Sequence, residues 1–189
     1  TQQPGPAERF AARIGPLRLL VVGGSLGARA LNEIVPQAIA LMPANQRPTV
    51  VHQSGAAQID ALRANYAAAE VEAELTPFID DTASAFAAAD IIVCRAGAST
   101  VTEIAAVGAA SILVPFPSAV DDHQTTNAQF LVNAGGGWLV QQRDLTPQGL
   151  SEMLLKLERS TLVDVALKAK NMQKINATRE VVTACEELA

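Results

Sequence analysis

Residues 94–108, which read CRAGASTVTEIAAVG, place an arginine, several hydroxyl side chains and one glutamate between an apolar run and an alanine-rich segment. Glu103 has two interpretations. Its spacing from Thr100 is that of a capping box, in which the glutamate only satisfies backbone N–H groups at the start of a helix. A carboxylate at such a junction can instead accept hydrogen bonds from the two vicinal hydroxyls of a ribose, as acidic residues do in nucleotide-binding sheets. The pattern alone does not separate the two.

The residues just before Glu103 add to the second interpretation. Gly97 and its small neighbours allow a ligand to approach the backbone closely, where a bulky loop would not. Arg95 has the charge to face a phosphate, although a surface carboxylate is an equally good partner for it. The stretch therefore predicts an anion-binding junction without fixing which group binds.

A second junction, VVGGSLGARALN, is rich in glycine. Gly23, Gly24 and Gly27 surround Ser25, and glycines at the start of a helix leave free N–H groups that attract an anion such as phosphate. The spacing is neither the dinucleotide fingerprint G-x-G-x-x-G nor a phosphate-binding loop with Gly-Lys-Ser/Thr. The alternative is a tight turn in which Ser25 caps the helix.

Two more junctions carry residues suited to a sugar or a base. In PFIDD, Phe78 is either a core residue or a stacking platform, and the backbone of Ile79 can pair with a nucleobase. In DDHQTTNAQ, a helix is predicted to begin near Asp122. The side chains of His123, Gln124 and Asn127 can exchange hydrogen bonds with sugar hydroxyls, or simply face solvent.

Acidic pairs occupy positions 80–81 and 121–122. Paired carboxylates can bind a divalent cation. Both pairs also stand where helices are predicted to begin, so that Asp80 or Asp81, and Asp122, are natural N-caps. The second interpretation is favoured, and neither a metal nor a cofactor is expected.

The elements that must position these junctions follow from the alternation of apolar patterns. Short apolar runs such as LRLLVVGG, PTVVHQSG, DIIVC and ASILVPF are typical of buried strands, and segments with helical spacing separate them. The alternation predicts an α/β fold, a doubly wound, Rossmann-like parallel sheet of about six strands. Ligands bind such sheets beyond the carboxyl ends of the strands. Residues 1–16 are predicted to be a linker or flexible arm, and residues 17–189 one domain.

Composition excludes several classes of function. The net charge of −5 and the pI near 5.0 argue against binding to nucleic acid. No apolar run approaches the roughly 20 residues that span a bilayer, and no signal peptide is recognised, so a soluble cytoplasmic chain is expected. Cys94 and Cys185 lack the spacing of a metal site and are expected to be reduced thiols.

The junctions, taken in order, resemble a known family. The segments GGSLGARALN, HQSG, FIDD, CRAGASTVTEIAAVG, PFP and DDHQTTNA are similar to the carboxyl-terminal half of the MurG family. These are bacterial GT-B glycosyltransferases that move N-acetylglucosamine from UDP-N-acetylglucosamine to a lipid-linked N-acetylmuramoyl-pentapeptide (lipid I) in peptidoglycan synthesis. The resemblance covers the chain from about residue 17 to its end.

The resemblance implies a role for each junction in binding the donor. It implies that the Ser25 turn, with Gly24 and Gly27, faces the diphosphate, that Phe78 and the Ile79 backbone meet the uracil, and that Glu103 binds the ribose diol. It further implies that Gly97, Ala98, Ser99 and Thr100 lie beside the diphosphate and the sugar, and that His123 and Gln124 meet the hydroxyls of N-acetylglucosamine. Arg95 and Asn127 are candidates from their residue types and positions alone. Some relatives have two glutamines in place of His123 and Gln124.

The resemblance also sets expectations about the reaction. An inverting transfer without an obligatory metal is expected, with the general base, the lipid acceptor site and the membrane-binding patch in an amino-terminal half that this sequence does not include. The chain alone is then expected to bind donor without turnover. Two alternatives remain open: a separate donor-binding subunit, similar to the two-chain transferase of dolichol-oligosaccharide synthesis, and a non-catalytic nucleotide-binding module.

Overall fold

The structure is a computed structural model that describes residues 3–24, 28–117, 122–174 and 185–186. Its sheet has six strands, all parallel, in the order β3-β2-β1-β4-β5-β6. The strands are β1 (Arg18–Val22), β2 (Thr49–Gln53), β3 (Glu74–Thr76), β4 (Ile91–Cys94), β5 (Ser111–Leu113) and β6 (Trp138–Leu139). The predicted α/β fold and its six-stranded parallel sheet are confirmed.

Helices follow the strands in the alternation that the sequence predicts. They are α1 (Pro6–Ala11), α2 (Arg29–Ala40), α3 (Ile59–Ala68), α4 (Thr82–Ala88), α5 (Ala98–Val107), α6 (His123–Val132), α7 (Pro147–Leu155) and α8 (Arg159–Asn171). In the part of the chain that the structure describes, no helix is both long enough and apolar enough to cross a bilayer.

Side chains of the central strands alternate between two apolar cores, one on each face of the sheet. In β1, Leu19 and Val21 belong to the core shared with α2, α3 and α7, whereas Leu20 points into the core shared with α4, α5 and α6. This alternation is the two-residue period of a strand. All residues of β4 are buried, as expected for a strand covered on both faces.

The first described residues differ from the predicted linker. Residues 6–11 form α1, and Phe10 is buried in the core on the α2 side. Arg13 donates to the carbonyl oxygens of Ala87 and Ala89, which end α4. The sequence prediction failed here because the segment is polar and proline-rich, and its order comes from tertiary contacts that no local pattern shows.

Candidate functional site

The order of the strands sets the position of the site. The chain leaves β1 toward β2 on one side and returns at β4 on the other, so that the topology reverses between β1 and β4. Loops diverge at such a point and leave a crevice beyond the carboxyl ends of the strands. A cleft of about 670 Å³ lies there. Its described lining comprises Gly23, Gly24, Ala28, Arg29, Ala30, Glu33, Gln58, Arg95, Gly97, Thr100, Phe116, Gln124 and Gln142.

Three helices begin at this cleft, and none has a side-chain cap in the part of the chain that the structure describes. The N-cap of α2 is Ala28 and that of α5 is Gly97, neither of which has a polar side chain to offer. The N-cap of α6, Asp122, makes no cap hydrogen bond either. Of the other helices, α4 and α7 are capped by Asp81 and Thr146, whereas α1, α3 and α8 also have no side-chain cap. Uncapped N–H groups and the positive ends of three helix dipoles favour an anion in the cleft.

The glycine turn after β1 is held from outside the turn. Gly24 has a φ of +81°, a conformation that glycine adopts without strain. Its N–H donates to Oε1 of Gln53 at 3.0 Å, and its carbonyl accepts from Nε2 of the same side chain at 3.1 Å. The predicted anion-binding residues Ser25 and Gly27 lie outside the described residues, so their roles stay predictions.

Arg95 does not pair with a surface carboxylate, one of the two partners that the sequence left open, among the described residues. Its guanidinium donates to the carbonyl oxygens of Val114 and Pro115 at 3.2 Å and to Oε1 of Gln142 at 2.6 Å, and lies 5.4 Å from the ring centroid of Phe116. Partial burial lowers the pKa of Arg95 from its ordinary value. All of these partners are neutral, and no ion pair of Arg95 occurs within the described ranges. Its positive charge therefore remains available to an anion in the cleft.

The start of α5 tests the capping-box interpretation of Glu103. The helix begins at Ala98 with Gly97 as N-cap, so Thr100 is the third residue of the helix and not its cap. The capping-box interpretation is therefore wrong. Glu103 lies in the second turn, exposed, on the same side as Thr100 because residues three apart in a helix are neighbours. Within the described ranges its carboxylate has no hydrogen-bond or ion-pair partner.

Ala98 and Ser99 are exposed in the first turn of α5 and do not line the cleft, whereas Gly97 and Thr100 do. A Cβ atom built on Gly97 would meet only Oγ1 of Thr100, at 3.9 Å. The fold itself therefore has room for a larger residue at position 97. The glycine is not explained by protein packing, which leaves ligand approach as its predicted purpose.

Phe78 is exposed, with 63% of its surface accessible, so it is not the core residue that the sequence left as an alternative. It follows β3 at the carboxyl edge of the sheet, and its carbonyl accepts from Oγ1 of Thr76 at 2.6 Å. The N–H and C=O of Ile79 make no hydrogen bond to any residue that the structure describes. An exposed ring next to free backbone polar groups is suited to a base, although neither residue lines the cleft.

The first turn of α6 divides its polar residues between roles. Gln124 lines the cleft, and its Oε1 accepts from the N–H of Phe116 at 2.9 Å, which leaves its amide N–H groups for a ligand. Asn127 donates instead to the carbonyl of Ala96 at 3.1 Å and so braces the loop before α5. His123 is exposed and does not line the cleft.

Of the described members of the acidic pairs, Asp81 caps a helix with its side chain, whereas Asp122 occupies an N-cap position without a cap hydrogen bond. Asp81 is the N-cap of α4 and accepts from both the N–H and the Oγ of Ser84, which lowers the pKa of its carboxyl. Asp122 is the N-cap of α6, and its partner Asp121 lies outside the described residues. Among the residues described, no group of three or more His, Cys, Asp or Glu side chains could hold a metal ion.

Several residues of the cleft were missed by sequence reasoning. Arg29 and Glu33 pair across one turn of α2 at 2.6 Å, and Phe116 and Gln142 surround the guanidinium of Arg95. Gln142 could have been found, because it follows β6 and the carboxyl ends of all strands share one edge. Phe116 could not have been found, because nothing in the PFP segment shows whether its phenylalanine lies in the cleft or in the core.

The sheet order, the flanking helices and the cleft define a Rossmann-like domain of the kind that forms half of a GT-B glycosyltransferase. A model of the glycosyltransferase family 28 C-terminal domain matches residues 18–185. The chain belongs to this family.

Curated relatives match over 97% or more of the chain. A protein of Paracidovorax citrulli is 74% identical over 188 residues, and one of Cupriavidus necator is 59% identical over 184 residues. Both are named UDP-N-acetylglucosamine--N-acetylmuramyl-(pentapeptide) pyrophosphoryl-undecaprenol N-acetylglucosamine transferase. The alignments cover 100% and 97% of this chain but 53% and 52% of the relatives, so the chain spans about half of their length.

Solved structures agree with this assignment. MurG of Acinetobacter baumannii superposes with a TM-score of 0.89 at 41% identity, over 98% of this chain and 54% of that one. The glycosyltransferase VinC superposes with a TM-score of 0.61 at 19% identity, which shows a shared fold alone. The suspected family resemblance and the GT-B architecture are confirmed.

Proposed function

We propose that the chain is the donor-binding half of an inverting transferase that moves N-acetylglucosamine from UDP-N-acetylglucosamine to lipid I in peptidoglycan synthesis. The observation that carries this proposal is the cleft at the reversal point of the sheet. Three uncapped helices begin there, beside a guanidinium with no carboxylate partner among the described residues. Relatives named for this reaction supply the substrate class.

The electrostatics of the cleft are suited to a sugar diphosphate. Negative charge grows on the diphosphate as its bond to the sugar breaks, and helix N-termini with Arg95 would stabilise that charge as it develops. These groups would do so without an obligatory metal bound by the protein. The acceptor hydroxyl would lose its proton to a group in an amino-terminal half of the transferase.

Different residues around the cleft would bind the diphosphate, the ribose and the uracil of the donor. The diphosphate would lie between the turn at Gly24 and the start of α5 at Gly97, with Thr100 beside it. The ribose diol would meet Glu103, one turn further along α5. The uracil would lie against Phe78 and pair with the free N–H and C=O of Ile79.

The sugar would be held by the start of α6. Gln124 has amide N–H groups left for a hydroxyl of the N-acetylglucosamine, and His123 stands beside it in the same turn. Asn127 would act indirectly, by bracing Ala96. Ser25, Gly27, Ala98 and Ser99 complete the proposed set of donor-binding positions.

Calorimetric titration of the 189-residue chain tests the proposal. We expect saturable binding of UDP-N-acetylglucosamine and UDP, and much weaker binding of ADP and NAD, because the uracil pairs with backbone groups in fixed positions. An equal response to uracil and adenine nucleotides would favour a general nucleotide-binding module instead. No response to any of the four would reject the proposal.

The acceptor and the membrane belong to the same proposal. The full transferase would work at the cytoplasmic face of the cell membrane, where lipid I is available, and would contact it through its other half. The chain alone should then bind donor but release no UDP when lipid I is added. Release of UDP that depends on lipid I, catalysed by this chain alone, would contradict that division of labour.

A further inference from the structure

We propose that Gln53 is a positioning residue that joins two loops of the donor site into one rigid unit. These are the turn at Gly24 (the diphosphate turn) and the loop at Pro77 and Phe78 (the uracil loop). The inference rests on the function proposed above. Gln53 is the last residue of β2 and has only 3% of its surface exposed. It does not line the cleft, so it would act through the backbone that it holds.

The side chain of Gln53 makes three hydrogen bonds to two different loops. Its Oε1 accepts from the N–H of Gly24 at 3.0 Å. Its Nε2 donates to the carbonyl of Gly24 at 3.1 Å and to the carbonyl of Pro77 at 3.0 Å. The first loop is the turn that follows β1, and the second precedes the exposed ring of Phe78.

The orientation of this amide is fixed by its partners. Gly24 offers one N–H, which needs an acceptor, while the carbonyls of Gly24 and Pro77 both need a donor. A glutamine satisfies all three groups at once. An ionised glutamate can accept from the N–H but cannot donate to either carbonyl, and an apolar side chain of similar length would bond to none of the three groups.

The consequence is a link between two subsites. Gly24 has a left-handed φ of +81°, and an added Cβ atom would meet nothing within 4 Å. Among the described contacts, the two hydrogen bonds from Gln53 hold the turn in place. Because the same amide group holds Pro77, the diphosphate turn and the uracil loop keep a fixed separation, which lowers the ordering that binding would otherwise require.

The test compares Gln53→Glu and Gln53→Met with the wild-type chain. Calorimetry gives the Kd for UDP-N-acetylglucosamine at about pH 7.5 and about pH 5.5, well below the melting temperature of every variant. At the higher pH we expect both variants to bind about tenfold more weakly or worse. At the lower pH the affinity of Gln53→Glu, relative to wild type, should partly recover, because burial raises the pKa of its carboxyl and the protonated form can donate again. Gln53→Met should not recover.

Asp90→Asn is the matched control. Asp90 is equally buried but precedes β4, at the opposite edge of the sheet from the cleft. Its substitution should lower the melting temperature at least as much as the Gln53 variants do, with the Kd unchanged. If the Gln53 variants are less stable but bind like wild type, Gln53 is only structural and the inference is wrong.

Hydrogen exchange needs no ligand. It therefore separates failure of the Gln53 contacts from failure of the proposed donor binding. The amide of Gly24 should exchange slowly in the wild type and rapidly in Gln53→Met, which removes its acceptor, whereas a glutamate at position 53 can still accept from it. Rapid exchange of the Gly24 amide in the wild type would show that Gln53 does not hold this turn, and the inference would be wrong. If the wild-type amide is protected but UDP-N-acetylglucosamine does not bind, the proposed function fails, and the positioning role for a donor fails with it.

Discussion

The sequence around Glu103 fits two patterns, a capping box and a ribose-binding carboxylate, and the structure excludes the first. The capping box failed because α5 begins at Ala98, two residues before Thr100, with Gly97 as N-cap. Glu103→Ala should therefore leave helix stability within about 0.5 kcal/mol. Binding of UDP should weaken by about 1 to 3 kcal/mol, because a charged hydrogen-bond acceptor is lost. Thermal melting and calorimetry on the same samples measure both effects.

Glu103→Gln is the control for that substitution, since it keeps the size and one acceptor oxygen but removes the charge. It should retain more affinity than Glu103→Ala. If the melting temperature falls for Glu103→Ala while the Kd stays the same, the carboxylate supports the helix and does not meet the ribose.

Gly97 offers a sharper test, because the protein has room for a side chain there. With φ at −63° and only Oγ1 of Thr100 within 4 Å of where an alanine Cβ would lie, Gly97→Ala should fold at a cost of about 1 kcal/mol or less. A methyl group at the mouth of the cleft should still weaken binding of UDP-N-acetylglucosamine at least about tenfold, since the backbone is expected to approach the ligand closely. Calorimetry measures that loss, and thermal melting measures the cost to the fold.

Gly5→Ala is a matched control for Gly97→Ala. Gly5 is also a helix N-cap, that of α1, with φ at −63° and no atom within 4 Å of the position of a Cβ atom. It should have a similar effect on melting and none on the Kd. Equal affinities for the two variants and the wild type would show that Gly97 does not face the donor.

At the scale of elements, a buried polar network connects β2, α2 and α3. The Nε2 of His52 lies 3.0 Å from Oδ1 of Asn32, and its Nδ1 lies 2.9 Å from the hydroxyl of Tyr66. Asn32 donates through its own amide to Gln58, so its Oδ1 is left to accept from the Nε2–H of His52. Burial lowers the pKa of His52 to about 3.

This network predicts how stability depends on pH. The histidine has a pKa near 6.5 in the unfolded chain. Between that pH and about 3, His52 is therefore protonated in the unfolded chain but not in the folded one. The free energy of unfolding should therefore be highest above about pH 6.5 and fall as the pH drops toward about 3, by up to about 1.4 kcal/mol per pH unit. Urea denaturation between about pH 7.5 and about pH 4.5 measures the slope.

Two variants isolate the contribution of His52 from that of titrating carboxylates. His52→Gln should lower the slope, because it removes the titrating group. Tyr66→Phe should lower stability by a similar amount at every pH while it keeps the slope, since it removes only one hydrogen bond. Identical slopes in the wild type and His52→Gln would show that the imidazole is not buried in the neutral form.

The elements also show which features sequence could predict. The strand of residues 91–94 was evident, because four consecutive buried positions leave a continuous apolar run. Pro36 inside α2 was not explicable from sequence. It has no N–H to offer the carbonyl of Asn32 one turn earlier, and Asn65 of α3 donates to that oxygen at 2.9 Å instead. Such repairs come from residues distant in the chain, as does the burial of α1.

At the scale of the whole molecule, Asp90 joins the two ends of the described fold. Its carboxylate pairs with Arg13 at 2.5 Å and with Arg159 at 3.1 Å, and accepts from the N–H of Arg18 at 2.9 Å. The Asp90 side chain has no exposed surface. It thus connects the segment after α1, the start of β1 and the start of α8.

Removal of this carboxylate should destabilise the domain strongly. Asp90→Ala leaves the buried guanidinium of Arg13 without its counter-ion, and we expect a loss of about 3 to 5 kcal/mol in the free energy of unfolding. Asp60→Ala is the matched control, because Asp60 pairs with Arg63 at 2.9 Å with 92% of its side chain exposed. That variant should lose less than about 1 kcal/mol in urea denaturation. Comparable losses would mean that Asp90 is hydrated in solution.

Asp90 lies far from the cleft, so its contribution to stability and that of a bound donor should be independent. Donor that binds only the folded state stabilises it by RT ln(1 + [L]/Kd), about 2.7 kcal/mol at a hundredfold excess over Kd. Because Asp90 and the cleft lie at opposite edges of the sheet, the two effects should add. UDP-N-acetylglucosamine should therefore raise the free energy of unfolding of wild type and Asp90→Ala by the same amount, within about 0.5 kcal/mol. A clearly smaller increment in the variant would mean that the α1 segment helps to hold the cleft in its binding shape.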